Sequence, residues 1–494
     1  MAIVAEVCHR LDGIPLAIEL AAARIKVLSV EQINVRLKDR FRLLTGGSRT
    51  AGARQRTLEA TVDWSYDLLS EMERRLLCRL SVFAGGWTLE AAENVGSGEG
   101  IEKDEILDLL SRLVDKSLVN VEEDATGNRR YRFLETVRQY GQVRLLRSGE
   151  AERLRELHLT FFFEFARRAE PELQRPDQMR WLNRLQLEHD NLRAALDWCL
   201  AVPEHGEKGL ELAAALFWFW TKRGYFGEGR QWLARTLSLD SRQSTALRAK
   251  AIIALSHMAF FLGHYADMRA YLEESLALGR QAEDMGLISF SFFMQSVLAM
   301  ASGNIEETAR LAAEANAAAI AGGHLWLEGG SLMLLALCTQ FFGDYEGAGL
   351  LYDEALVRHR RTGDKWTIGI TLSNIAGLRV QQGHYAEAKV VGAEAIRLNQ
   401  ELSDHRGTAW CLESLAAAEA AQGKAARAAR LWGASDGLLE SVGSTLPPSI
   451  KLFRDSYFDR AKESLGDSAF QTALSDGRAM SLTQAVEYAL EDNS

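Results

Sequence analysis

Six glycines, at positions 224, 263, 303, 343, 383 and 423, stand 39, 40, 40, 40 and 40 residues apart. A fixed period of this length constrains the fold strongly, because each unit must bury its apolar face against the next one. The side chains keep the same phase. Eleven residues before the last five glycines stand Ile252, Phe292, Leu332, Leu372 and Leu412, all large and apolar. Seven before them stand Ser256, Ser296, Ala336, Ala376 and Ala416, all small. Ala348, Ala388 and Ala428 follow three of the glycines by five residues. Large knobs and small holes in register predict stacked helical hairpins. The bends themselves read GHYAD, GNIEE, GDYEG, GHYAE and GKAAR, with glycine suited to the tight turn.

This pattern resembles the tetratricopeptide repeat and covers about residues 210–440. It departs from that repeat in its longer period, in lacking an aromatic four residues before the glycine, and in lacking proline between Pro203 and Pro447. The resemblance implies a concave face collecting His257, Phe260, Phe261, Phe290, Phe293, Met300, Met333, Gln340 and Phe341. Such a face suits an apolar-faced peptide or small ligand. The alternative is that these aromatics only fill the interior of a tightly wound array. Pro447-Pro448 ends the repeats, and 449–494 reads as a helical cap.

Upstream, SEMERRLLCRLSVF carries a capping box in Ser70 and Glu73, and a short helix begins near Thr88. DEILDLLSRLVDK has apolar residues at Ile106, Leu109, Leu110, Leu113 and Val114, which is helical spacing. SLVNVEE and RRYRFL, joined by DATGN, read as two strands. Helices followed by a strand pair predict a winged helix-turn-helix over 57–147. From Lys103 to Lys116 its recognition helix has four acids and three bases, whereas a groove-reading helix should be clearly basic. DNA binding is therefore possible but not favoured. Between Arg36 and Arg56 lie seven bases and one acid around TGGSRTAG. That segment reads as a solvated interdomain loop, with Arg54 and Arg56 as the alternative contact for a phosphate.

The 494 residues carry a net charge of -10, which does not suit a whole-chain nucleic-acid binder. Five dispersed cysteines signal neither a zinc site nor a disulfide framework, and the N-terminus has no export signal, so a cytoplasmic protein is expected. Residues 286–303 are uncharged, but Gln295, four serines and the repeat phase argue for a helix buried among helices, with no membrane span. GxxxxGK[ST], HExxH and GxSxG are absent, and no metal site is expected. Glu188, His189 and Asp190 point to different sides of a helix, which favours a solvated or capping role.

LDGIPLAIELAAAR at 11–24 resembles the Gly-Leu-Pro-Leu motif of the NB-ARC type of STAND signalling ATPase. The resemblance continues through LEATVDWSYDLLSEMERRLLCRLSVFAGGWTLEAAE, LVDKSLV and YRFLETVRQYG into the repeats. It implies that Gly13 and Pro15 bind nucleotide, with Pro15 against the adenine. The Met-His-Asp motif of the winged helix in such proteins falls on Phe133-Leu134-Glu135, so its phosphate-sensing His is Leu134 here. The P-loop and magnesium-binding acids of the family lie upstream of the proline motif, and this chain starts just before it. No cofactor is then expected in this chain alone, with ADP or ATP expected only if it is joined to a P-loop domain.

The expected fold is mainly α. It comprises a remnant helical NB-ARC segment (1–50), a winged helix-turn-helix with a small β wing (51–148), a helical linker (149–209), an α-solenoid of tetratricopeptide-like hairpins (210–440) and a helical cap (441–494). The expected function is regulatory signal transduction, not catalysis, with a protein or small-molecule inducer on the repeats and an upstream nucleotide-binding domain as partners. The alternatives are a DNA-binding transcription factor acting through the winged helix and, less favoured, an NTPase.

Overall fold

The computed structural model describes residues 2–10, 22, 25, 28–36, 62–123, 127–239 and 244–491. The chain divides into two compact units, Met1–Phe165 with Leu187–Trp198, and Ala166–Gln186 with Cys199–Ser494. Gly13, Pro15, Arg54 and Arg56 lie outside the described residues.

In the first unit the helix Glu71–Leu80 starts at the expected capping box, in which Ser70 and Glu73 satisfy each other's backbone N–H. The helix Leu89–Gly96 is capped by Thr88. The helix Ile106–Asp115 buries Ile106, Leu109, Leu110 and Leu113. Two antiparallel strands follow, Asn120–Glu123 and Arg129–Arg132, paired Val121 with Tyr131. Trp87 extends this ribbon by exchanging both backbone hydrogen bonds with Tyr131, at 2.8 and 2.9 Å. The close approach needs glycine next door: a Cβ on Gly86 would stand 2.8 Å from the Tyr131 carbonyl oxygen. Arg79, fully buried, donates to the carbonyls of Gly96 (2.9 Å) and Gly98 (2.6 Å) and pairs with Glu150 at 2.7 Å. It thereby gives a donor to the Gly96 carbonyl at the helix end and a second one to the Gly98 carbonyl, which also accepts from Ile101 N at 3.3 Å.

The second unit is dominated by five helical hairpins. They are Thr245–Phe261 with Tyr265–Gln281, Met285–Ala301 with Ile305–Gly322, Leu325–Phe341 with Tyr345–Thr362, Lys365–Gln381 with Tyr385–Leu402, and His405–Ala421 with Ala425–Ser441. Each expected turn glycine from 263 to 423 has a left-handed backbone, with φ between 74° and 85°. The links between hairpins hold a second left-handed residue per period, at Glu283, Gly323, Gly363, Ser403 and Gly443. Ser256, Ser296, Ala336, Ala416, Ala348, Ala388 and Ala428 have no exposed surface, as holes require. Of the knobs, Ile252, Leu332, Leu372 and Leu412 are buried and Phe292 is half-buried.

Size matching also operates between the two helices of a hairpin. His359 and Asn399, one period apart, lie against Gly329 and Gly369, where an added Cβ would come within 2.5 and 2.7 Å. The uncharged segment forms the helix Met285–Ala301, whose Ser289, Ser291 and Ser296 are buried and hydrogen-bonded. Among the described residues no helix is long and apolar enough to cross a membrane. After the array, Pro448–Leu465, Asp467–Arg478 and Leu482–Leu490 form three more helices.

Candidate functional site

Trp218, on the helix Phe217–Arg223, centres an aromatic cluster that draws in the first helices of four hairpins. Its ring centroid lies 4.5 Å from Phe217, 5.9 Å from His257, 6.2 Å from Phe290, 4.9 Å from Trp326 and 6.1 Å from Trp366. Of the nine residues expected on the concave face, the structure brings His257, Phe261, Phe290 and Phe293 into this cluster or onto its edge. Phe260 stands 5.2 Å from Phe261. Met300 packs against the apolar core around Phe293, and Met333 against the core around Tyr352. Gln340 accepts from the Tyr352 hydroxyl at 2.9 Å and donates to Gln381 at 2.7 Å. Phe341 lies apart with Phe342, both well exposed and 5.9 Å from one another.

Inside this cluster is an ion pair that no local pattern announces. Lys222 and Asp364 have side-chain exposures of 1% and 0%, and Nζ lies 2.6 Å from Oδ1. Lys222 uses its other protons on the Leu173 carbonyl (2.5 Å) and Gln178 Oε1 (2.9 Å). Burial lowers the Lys222 pKa, and the Asp364 charge opposes that shift. Asp364 also accepts from the Trp366 backbone N–H and, through Oδ2, from Trp326 Nε1 at 3.1 Å. One period on, Asp404 caps its helix through Gly407 N and accepts from Trp366 Nε1 at 3.1 Å. The spacing of Trp326, Trp366 and Arg406, and of Asp364 and Asp404, repeats the forty-residue period of the glycines. That periodicity was a usable signal for these residues.

Two buried histidines give the unit a pH dependence. Burial, with the charge of Arg406 second, pushes His257 down to about 3, and burial pushes His359 down to about 4. Among the described residues His257 Nδ1 has no hydrogen-bond partner. The unfolded chain binds these protons near 6.5, so the stabilisation is complete above that pH and is lost as pH falls from 6.5 towards 4. At pH 5 the loss is about 2 kcal/mol for each ring. We expect the urea midpoint to fall between pH 7.5 and pH 5, and His359→Asn, the residue one period on, to remove about a third of that fall, since His158 is a third such ring. An equal fall in the variant would refute the assignment.

In the first unit Glu188 and His189 are buried and Asp190 is exposed, so of the expected solvated or capping roles the solvated one holds for Asp190 alone. Glu188 is ion-paired with Arg130, whose Nη2 lies 3.1 Å from Oε2. Asn191 accepts from Ala84 N and donates to the Gly86 carbonyl, both at 2.8 Å. His158, pushed down to about 4 by burial, lies 3.2 Å from Asn191 Oδ1. Among the described residues no group of three or more His, Cys, Asp or Glu could hold a metal. The role is a buried clasp on the loop that leads into Trp87. On the helix Ile106–Asp115 and the turn before it, the exposed charges are Glu102, Lys103, Asp104, Glu105, Asp108, Arg112 and Asp115, two bases against five acids. Exposed Lys116 follows but is tied to Glu73 at 2.7 Å.

With capped helices, an apolar helix and a paired ribbon in that order, residues 69–146 match the family described as a winged helix-turn-helix domain. This segment is a winged helix-turn-helix domain. The chain is 41% identical over 295 residues to an HTH-type transcriptional regulator of Mycobacterium tuberculosis, covering 57% of this chain and 32% of that protein. An uncharacterized protein of the same species is 51% identical over 150 residues, 30% of this chain and 38% of that one. The chain thus spans about a third of the length of the curated relatives it matches.

Among solved structures, a STAND protein with a tetratricopeptide repeat sensor from Pyrococcus horikoshii matches with a TM-score of 0.45 and 16% identity. The match covers 92% of this chain and 74% of that one. A Rap protein complexed with competence and sporulation factor matches with a TM-score of 0.39 and 13% identity, over 63% and 98%. Similarity at that level says nothing about the ligand or partner of the winged-helix chain.

Proposed function

We propose that this chain is the sensing and relaying part of a regulatory signal-transduction protein of the STAND type. In this reading the repeat array binds a protein or small inducer, and the winged helix relays occupancy to a nucleotide-binding domain. The observation that carries it is the winged-helix match over 69–146 in a chain that is also 41% identical over 295 residues to a transcriptional regulator. The buried aromatic and ionic interior of the array supports the sensing role, because a ligand that engages one arrangement of such an interior better than another shifts the balance between two states. The chain itself is read as non-catalytic. Gly13 and Pro15 would contribute one wall of a nucleotide site whose phosphate-binding loop belongs to another domain, and ADP or ATP would bind only there. The domain limits expected from the sequence, 1–50, 51–148, 149–209, 210–440 and 441–494, are kept as part of this proposal.

A second reading, direct DNA binding by the winged helix, is favoured by the same match. It is opposed by the acid-rich exposed face around Ile106–Asp115, since phosphate contacts are made by bases. The test compares transcript profiles of the host with the gene deleted, restored, and restored as Lys222→Met. Fluorescence anisotropy of the full chain on duplex DNA at low salt runs beside it. We expect a defined transcript set to change on deletion and fail to recover with the variant, and no salt-sensitive DNA binding. An unchanged profile on deletion would sink the regulatory reading. Tight, salt-sensitive DNA binding would replace the first reading by the second.

A further inference from the structure

The first turn of the array and its fifth hairpin meet at a small cleft of about 80 Å³, lined among others by Lys222, Arg223, Phe226, Asp404, His405 and Arg406. Arg406 is buried, and its guanidinium carbon lies over aromatic rings, 3.8 Å from the centroid of Phe261, 4.9 Å from Phe226 and 5.4 Å from Trp410. Stacking occupies the faces of the guanidinium and leaves its edge for hydrogen bonds in the plane. That edge is not satisfied by the protein. Arg406 Nη1 is buried with no partner, and no ion pair is found for Arg406 among the described residues. The nearby carboxylates are committed, Asp404 to Gly407 N and Trp366 Nε1, Asp364 to Lys222, Trp366 N and Trp326 Nε1.

A second donor lines the same cleft. Arg223 spends Nη2 on Asn183 Oδ1 at 2.5 Å, while its Nε is buried without a partner. Asp404, on the same cleft, sets a negative charge near Arg406 but spends its hydrogen bonds on Gly407 N and Trp366 Nε1, and a buried N–H left without an acceptor is costly. Two guanidinium groups with unmatched N–H bonds in one cleft are balanced when an anion accepts from both.

We propose that this cleft binds a small oxyanion, a carboxylate or phosphate group carried by the small ligand of the array. The proposal rests on the sensor reading, whose ligand it gives a chemical class. The cleft has room for a group of a few heavy atoms. The body of the ligand would lie outside it, along the mouth formed by Ser403, Val442 and Ser444.

The test uses the full chain in chloride buffer at constant ionic strength, titrated with inorganic phosphate and, separately, acetate, by calorimetry and by thermal unfolding. We expect saturable binding of at least one probe and a melting temperature raised by a few degrees at saturation. Arg223→Gln, at the cleft edge, should weaken binding at least about tenfold. Ser444→Glu, which brings a carboxylate to the mouth, should abolish the response without loss of folding. A response to phosphate alone assigns a phosphate group, and a response to acetate alone a carboxylate. No saturable response to either probe, or equal binding by both variants, overturns the proposal. Oxyanion binding that persists while gene deletion leaves transcripts unchanged overturns the sensor reading instead.

Discussion

Lys222→Met is expected to cost about 3–5 kcal/mol of the stability of the repeat unit, the range for removing one partner of a buried pair. Most of that cost comes from the acid left behind. Asp364 has no exposed surface, so without Nζ its negative charge sits in apolar surroundings beside Trp218, Trp326 and Trp366. The Leu173 carbonyl and Gln178 Oε1 also lose their donor. The double variant Lys222→Met with Asp364→Asn removes the stranded charge. It should recover about 2 kcal/mol or more, although the amide is a poorer partner for Trp326 Nε1. Urea unfolding of the wild type, both single variants and the double closes the cycle. A double variant no better than Lys222→Met would mean that the charge itself contributes little.

The second large effect is expected at Gly477. The helices Ala425–Ser441 and Asp467–Arg478 cross with backbone against backbone: a Cβ on Gly477 would stand 2.0 Å from the Arg430 carbonyl oxygen and 2.9 Å from Ala434 N. Gly433 and Gly437 face the same crossing, with the Leu474 and Arg478 carbonyl oxygens 2.0 and 2.4 Å from where their Cβ atoms would be. Backbone on both sides leaves nothing soft to give way. Gly477→Val should therefore lift Asp467–Arg478 off the array and expose Phe470, which is fully buried and packed on Phe458 at 4.9 Å. Burying such a ring is worth about 2–3 kcal/mol, and other apolar contacts go with it. Hydrogen exchange should show protection lost across 467–490 while 285–381 stays protected. Unchanged protection at 467–478 would contradict the close crossing.

The sequence made the repeats legible because helix pairing within a hairpin is local, so a turn glycine and an apolar pattern suffice. The winged helix was legible for the same reason, through the Ser70–Glu73 box, the Ile106 to Leu113 spacing and the strand pair. The Lys222–Asp364 pair was not, since its partners are 142 residues apart and no local pattern joins them. Lys222 in FWFWTKR reads as the polar end of a helix, and nothing nearby marks it as buried. The Glu188–Asn191 clasp was missed because adjacent polar residues suggest solvent, whereas here a carboxylate and an amide each find a partner far away in sequence. Arg223 and Arg406 were missed too, although Arg406 stands one period after Trp366, where a charge breaks an aromatic series.

The paired duties of Asp364 and Asp404 bear on how the array comes apart. Each carboxylate starts one repeat's helix and holds the preceding repeat's tryptophan, so a repeat cannot fray without withdrawing an acceptor from its neighbour. In a linear array, stability divides into what each repeat owns and what it shares at the interface. Here a part usually owned, the helix cap, is shared. From Trp326 to Arg406 the chain should therefore melt in one cooperative step, although Asp284, with His at position 324, serves only as a cap.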